Sequence, residues 1–185
     1  MRALEPEIRA GVPIVGLEPA CVSVFKDELL NLFPDDALAH SLSAQVVYFS
    51  DFLRPSIVPP SSPTVLQALV HGHCHHKSVI GMSAEMAMLE RLGVQARLIE
   101  SSCCGMAGSF GFRPETYDLS VKAAELHLLP AVRAAASEDL IVASGYSCRE
   151  QIDQLSPRRA VHVAEVAALA LGLSGQQANT RGESR

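Results

Sequence analysis

The 185-residue chain contains no tryptophan, and aromatic residues make up only 5% of it. So thin an aromatic supply argues against an all-β sandwich. With 48% apolar residues, the composition suits an Ala-, Leu- and Val-rich α/β core. No apolar run reaches the roughly 18 residues that a membrane-spanning helix needs. The best run, 160–173, is interrupted by His162 and Glu165. The opening stretch MRALEPEIRAG has acids but no apolar centre, so it does not read as a signal peptide. Fifteen Lys and Arg against twenty Asp and Glu leave a net charge of -5, and the basic residues are scattered rather than striped. That argues against a nucleic-acid partner. No GxGxxG follows an apolar strand, since GMAGSFG follows cysteines, so no flavin site is expected in this chain. The ligand run of a regular ferredoxin is also missing. The five cysteines therefore read as reduced, cytosolic thiols rather than a disulfide framework.

What remains is one globular domain's length, 19.8 kDa, with short apolar runs alternating with amphipathic stretches. The pattern predicts the end of a helix over 3–10, a strand at 14–17, and a helix over 22–33 stopped by Pro34. Asp35 and Asp36 are placed to cap a further helix over 37–53. RPSIVPPSSP, 54–63, reads as a Pro/Ser linker. Beyond it come a strand at 65–71, a helix over 78–92, a strand at 94–99, and a helix over 115–129. A strand at 140–143, a helix near Cys148, a strand at Ala160 and Val161, and a helix to Leu171 follow. Residues 173–185 read as a disordered tail. The expectation is an α/β fold, a parallel-sheet sandwich with right-handed crossovers. IVGLEPACVSVFKDEL (14–29) overlays IVASGYSCREQIDQL (141–155), matching Ile14 to Ile141, Val15 to Val142 and Cys21 to Cys148. This implies two pseudo-repeated halves: an incomplete first repeat over 1–53 and a complete one over 64–172.

Each cysteine follows an apolar strand: Cys21, Cys74, the adjacent pair Cys103 and Cys104, and Cys148. In an open parallel sheet the strand ends line one rim, and helix N-termini there favour thiolate and anionic groups. Gly105, Gly108 and Gly111 would let backbone N–H groups approach sulfur closely. Cys21 alone could be core packing. Cys103 and Cys104 cannot both be, because neighbouring residues point in opposite directions. A disulfide between them would be strained, their Cα atoms being only about 3.8 Å apart. Four thiols at strand ends match the number that holds an iron–sulfur cluster or a tetrahedral zinc. Metal ligation is the reading that accounts for all of them.

HGHCHHKSVIG, 71–81, places histidines around Cys74. His71, His73 and His75 are candidates to support the site through hydrogen bonds to sulfur, as is His162 after the last strand. His76 is read as capping the next helix or facing solvent, and Lys77 as exposed. Tyr146 and Arg149 flank Cys148 and are candidates for supporting groups or a docking face.

HGHCHHK, SSCCGMAGSFGF and SGYSCREQI, in that order and with these spacers, resemble the cysteine-rich CCG domain. That family includes a subunit of heterodisulfide reductase, the iron–sulfur subunits of glycolate oxidase and anaerobic glycerol-3-phosphate dehydrogenase, and lactate-utilisation proteins. The chain is most similar to the C-terminal region of FAD-linked oxidases of the D-2-hydroxyglutarate and D-lactate dehydrogenase type, over residues 12–171. The family pattern maps onto Cys74, onto Cys103 and Cys104 with Gly105, and onto Cys148. It departs at Gly145, where the first cysteine of a CxxC would fall, and Glu18 holds the equivalent place ahead of Cys21. The resemblance thus implies a four-cysteine [4Fe–4S] cluster rather than a five-cysteine noncubane one. Cys21 is then an additional ligand across the repeats, and zinc is the alternative metal. It further implies a cytoplasmic oxidoreductase component, able to sit peripherally at the inner membrane through partners and not active alone. FAD would lie on a flavoprotein domain or subunit carrying further iron–sulfur clusters, and electrons would pass toward a quinone or another acceptor. Two rivals stay open on the residues themselves: a zinc-stabilised docking module and a metal-free catalyst using the vicinal thiols.

Overall fold

The computed structural model describes residues 1–60, 65–100 and 103–173. The fold is α/β, and both of its sheets are wholly parallel. After helix α1 (Glu5–Arg9), strand β1 (Ile14–Gly16) leads into α2 (Pro19–Lys26), α3 (Glu28–Leu32) and α4 (Ala37–Gln45). Strand β2 (Val46–Tyr48) then pairs with β1, Ile14 opposite Val46, and runs into α5 (Phe49–Leu53). The larger sheet follows: β3 (Leu66–His71), a π-helical turn at His76–Ile80, α6 (Ser83–Arg91), β4 (Val94–Leu98), α7 (Pro114–Glu125), α8 (Leu128–Ala134), β5 (Leu140–Ala143), α9 (Tyr146–Leu155), β6 (Ala160–Val161) and α10 (Val163–Ala170). Its strand order is β4-β3-β5-β6. No helix among the described residues is long and apolar enough to cross a membrane.

The inner strands β3 and β5 carry apolar runs because both sheet faces are covered there, whereas the edge strand β4 alternates, leaving Gln95 and Arg97 exposed. Leu69 and Ile141 face a cluster with Leu128, Val132 and Ile152, which also includes Cys104 and Cys148. Val70 and Val142, one residue on, face Met88, Leu89, Val163 and Val166. That alternation is the two-residue period of a strand expressed in packing. A smaller core of Ile8, Val22, Leu29, Leu42, Val46 and Tyr48 underlies the two-stranded sheet.

Several expectations are corrected. The single helix over 37–53 is α4, β2 and α5. Asp36 caps it as expected, accepting from the N–H groups of Leu38 at 2.8 Å and Ala39 at 3.2 Å. It ends at Val46-Val47-Tyr48, where β-branched and aromatic residues supply the partner that β1 needs. The helix over 22–33 breaks at Asp27, that over 115–129 at His127, and that over 78–92 at Gly81, whose φ is 93°. Within the expected linker, Arg54–Ser56 form a turn and Ile57 is buried in the main core, its carbonyl taking a 2.8 Å hydrogen bond from Arg91. Residues 61–63 of the linker and 174–185 of the tail lie outside the described residues.

The internal repeat has a structural counterpart. β1 pairs with β2 as β5 pairs with β6, so Tyr48 and His162 occupy corresponding places, each at the N-cap of the next helix. Between the halves sits a buried polar joint. Glu85, 0% exposed on α6, accepts from the Tyr48 hydroxyl at 3.4 Å and the Ser144 hydroxyl at 3.1 Å. His76 Nδ1 lies 3.8 Å from the same carboxylate oxygen, and its ring meets that of Tyr48 at 4.4 Å. His76 is therefore buried, not capping or solvent-facing as its sequence context suggested. Burial lowers its pKa to about 4, with a contribution from nearby His73, and raises the Glu85 carboxyl to about 7. Around neutrality His76 is uncharged, so this contact is not an ion pair.

The packing and the joint each generate a prediction. Leu69→Ala is expected to lower stability by about 2–5 kcal/mol in urea unfolding, whereas Leu119→Ala, 59% exposed, changes it by less than about 0.5 kcal/mol. For Glu85, the folded pKa of about 7 exceeds the ordinary 4.5. Its favourable contribution is thus full below pH 4.5 and is lost as pH rises through 7. Glu85→Gln removes that dependence while the opposing effect of His76 cancels in the comparison. The variant should gain on the wild type by on the order of 3 kcal/mol between pH 4.5 and pH 8. Parallel stability–pH curves for the two proteins would show that Glu85 is not held protonated.

Candidate metal centre

Three neighbouring strands deliver the cysteines to one rim. β3 ends at His71, in register with Ala143 of β5, and continues through Gly72 and His73 to Cys74. β4 is extended by Ile99, whose N–H bonds the Val70 carbonyl at 2.8 Å, before the chain reaches Cys103 and Cys104. β5 passes through Ser144 and Gly145 into α9, whose third residue is Cys148. The four thiols meet there. Hydrogen bonds join Cys103 to Cys74 and to Cys104, Cys104 to Cys148, and Cys148 to the buried His71. Cys104 and Cys148 are buried, Cys74 and Cys103 half-buried, and no described cysteine is in a disulfide.

Charge alternates along this array. Hydrogen bonds from Cys104 and Cys74 and the Gly105 N–H, 3.2 Å from Cys103 Sγ, hold the Cys103 thiol far below its ordinary range. Cys148 is lowered in the same way, first by Cys104 and also by His71. Cys74 and Cys104, which keep the shared protons, are raised correspondingly by those same bonds and by burial. The N-terminus of α9 adds its positive dipole end at Cys148.

Gly105 is required by geometry. Its φ is 89°, and a Cβ would lie 2.0 Å from the Ser120 carbonyl oxygen. Gln151 reinforces the close approach by donating to that oxygen at 3.3 Å and to the Ser120 hydroxyl at 3.1 Å. Gly145 is constrained too, since a Cβ there would lie 2.4 Å from Cδ2 of His73. The place where the resemblance expects another cysteine is therefore filled by an imidazole.

The other candidates are distributed around the rim. His73 is buried, and its Nδ1 accepts from the His75 N–H at 3.2 Å, while His75 itself is exposed. Cys21 is exposed in the first turn of α2, and the thiol hydrogen bonds do not reach it. His162 caps α10, Nδ1 accepting from Ala164 N–H at 3.0 Å, so Nε2 carries the proton and donates to the Leu17 carbonyl at 2.9 Å. Tyr146 is 60% exposed, and its N–H meets Glu18 Oε2 at 2.8 Å. The other oxygen of Glu18 accepts from Ala20 N–H at 3.4 Å, so one carboxylate serves the N-termini of α2 and α9. Arg149 turns back to the carbonyls of Ala143 and Ser144 at 2.9 and 2.8 Å.

Sequence reasoning missed Glu85 and the capping role of Glu18. The first carried a signal, an acid on the buried stripe Ala84, Glu85, Met88 and Leu89 of α6. The second depends on a contact 128 residues away and left none.

The donor set fits a thiophilic metal or an iron–sulfur cluster in number and kind. Four sulfurs converge, two are already drawn toward thiolate, and an incoming cation would displace the protons the array shares. Among the described residues, no group of three or more His, Cys, Asp or Glu side chains stands in an arrangement that could hold a metal ion.

No family model matches the chain. It is 24% identical over 164 residues to one of the subunits of anaerobic glycerol-3-phosphate dehydrogenase of Escherichia coli K12, covering 87% of this chain and 41% of that protein. It is 27% identical over 158 residues to D-2-hydroxyglutarate dehydrogenase of Pseudomonas putida KT2440, covering 84% and 15% respectively. For D-2-hydroxyglutarate dehydrogenase of Escherichia coli K12 the figures are 25% over 149 residues, 80% and 14%. The chain thus spans less than half the length of each of these relatives.

Proposed function

We propose that the chain is the iron–sulfur electron-transfer part of an FAD-linked oxidoreductase acting on a 2-hydroxy acid. The observation that carries the reading is the convergence of Cys74, Cys103, Cys104 and Cys148 from three adjacent strand ends into one hydrogen-bonded thiol array. The names of its relatives, all dehydrogenases, support the reaction class.

In this reading the four thiols hold a [4Fe–4S] cluster, which would supply one-electron storage between a flavin on a partner domain and a later acceptor. The chain's own residues do the rest. Cys104 and Cys148 anchor the buried side, excluding water. The half-buried Cys74 and Cys103 leave the opposite side near the surface, where a partner's redox group can approach. The Gly105 N–H and the start of α9 offset the negative charge of the sulfurs. Cys21 stays outside the ligand set.

Anaerobic reconstitution of the full chain, with iron, sulfide and zinc analysis and EPR of the oxidised and reduced protein, tests this. About four iron and four sulfide per chain are expected. Cys103→Ser and Cys104→Ser should lose most of that content, and Cys21→Ser should retain it. One zinc per chain, without iron uptake or an EPR signal, would leave a zinc-stabilised docking module. Disulfide-reducing or peroxide-reducing activity in the metal-free chain would point to the vicinal thiols instead.

A further inference from the structure

A glutamine is buried beside the apolar cluster beneath the cysteine rim. Gln151 is 1% exposed and shares the inner face of α9 with Cys148, one turn before it, and with Ile152. A buried amide costs free energy unless its polar groups find partners. Its Nε2 finds two on a single residue, donating to the Ser120 carbonyl oxygen at 3.3 Å and to the Ser120 hydroxyl at 3.1 Å. Ser120 is itself 1% exposed, and the buried residues of α7 are only Ser120 and Ala124, both small.

The two oxygens that Gln151 holds are also the surfaces on which the cysteine loop rests. The Ser120 carbonyl fills the place a Cβ of Gly105 would take, and Gln151 Nε2 lies 3.2 Å from that same point. The Ser120 hydroxyl oxygen lies 3.1 Å from where a Cβ of Gly111 would stand. The segment from Gly105 to Gly111 therefore meets Ser120 at both ends, each time through a residue without a side chain. At the near end the Gly105 N–H reaches Cys103 Sγ at 3.2 Å. That bond needs Gly105 at its φ of 89°, and the Ser120–Gln151 pair is what Gly105 abuts.

We infer that Gln151 is the positioning residue of the thiol site: by clamping both oxygens of Ser120 it seats the Gly105 turn and so holds the Gly105 N–H on the Cys103 sulfur. It does this from the helix that carries Cys148. One helix thus supplies one thiol of the array and fixes the loop that supplies two others. The redox consequence rests on the iron–sulfur reading above. An N–H donor on a ligating sulfur favours the more negative, reduced state, so loosening it makes reduction harder. Losing a hydrogen bond to a charged acceptor changes such an equilibrium by roughly tenfold, or about 59 mV for one electron.

The test uses the full chain as wild type, Gln151→Met, Gln151→Asn and Ile152→Val. Gln151→Met keeps the length of the side chain and removes the donor. Gln151→Asn keeps the amide one methylene short of Ser120, and carries the same test should the Met variant not fold. Ile152→Val disturbs the same helix without touching the loop. Hydrogen exchange is followed on the metal-free chain, and the midpoint by potentiometric titration with EPR on the anaerobically reconstituted chain. Backbone exchange over 105–112 is expected to quicken roughly tenfold in the Gln151 variants while 66–71 stays as in the wild type. The same variants should keep most of their iron and lower the midpoint by that tenfold amount, and Ile152→Val should do neither. Unchanged loop exchange, or a wild-type midpoint in both Gln151 variants, overturns the inference alone. An equal shift in Ile152→Val also overturns it, by making the effect one of general destabilisation. So does complete loss of iron in both Gln151 variants, which would make the residue a requirement of the fold. A wild-type chain that takes up no iron overturns the iron–sulfur reading; loop exchange in the metal-free chain then decides the clamp by itself.

Discussion

Parallel pairing of β3 with β4 on one side and β5 on the other is the constraint on which the cysteine rim depends. Val70 stands opposite both Leu98 and Val142, so the three strands end at nearly the same level. Parallel strands must all leave the sheet at one edge, and the next residues of each chain segment are then neighbours whatever their separation in sequence. Cys74, Cys103 and Cys148 meet for that reason. Cys104 follows because Gly105 turns the chain sharply inward against α7, placing the second thiol of the pair beneath the first.

Once brought together, four thiols cannot all ionise side by side. The alternation of lowered and raised groups is the response: protons stay on Cys74 and Cys104 and stabilise the negative charge on Cys103 and Cys148.

Much of this was legible from residue patterns. The apolar runs at 66–71 and 140–143 are inner strands with both faces covered, 94–98 is an edge strand that alternates exposed Gln95 and Arg97 with inward residues, and the cysteine-bearing exits of all three were readable once a parallel order was assumed. β2 was hidden, because 37–53 is apolar enough to read as one helix and only pairing with β1 makes Val46–Tyr48 a strand. The breaks at Asp27 and His127 depend on packing that no local pattern announces. His76 looked like one more polar residue in a histidine-rich loop, yet the π-helical turn and the Tyr48 ring bury it. Gly145 could be seen as a missing cysteine, but the imidazole that fills its place comes from a segment 72 positions earlier (145 minus 73) and becomes visible only in three dimensions.

Glu18 gives the joint between the repeats a mechanical character. One carboxylate holds the first turns of α2 and α9 at once, and His162 grips the Leu17 carbonyl next to it. Rotation of one half against the other would strip the N–H of Tyr146 of its acceptor and break the imidazole link in the same movement. The two-stranded sheet is thereby tied, through Glu18, to the helix that carries Cys148.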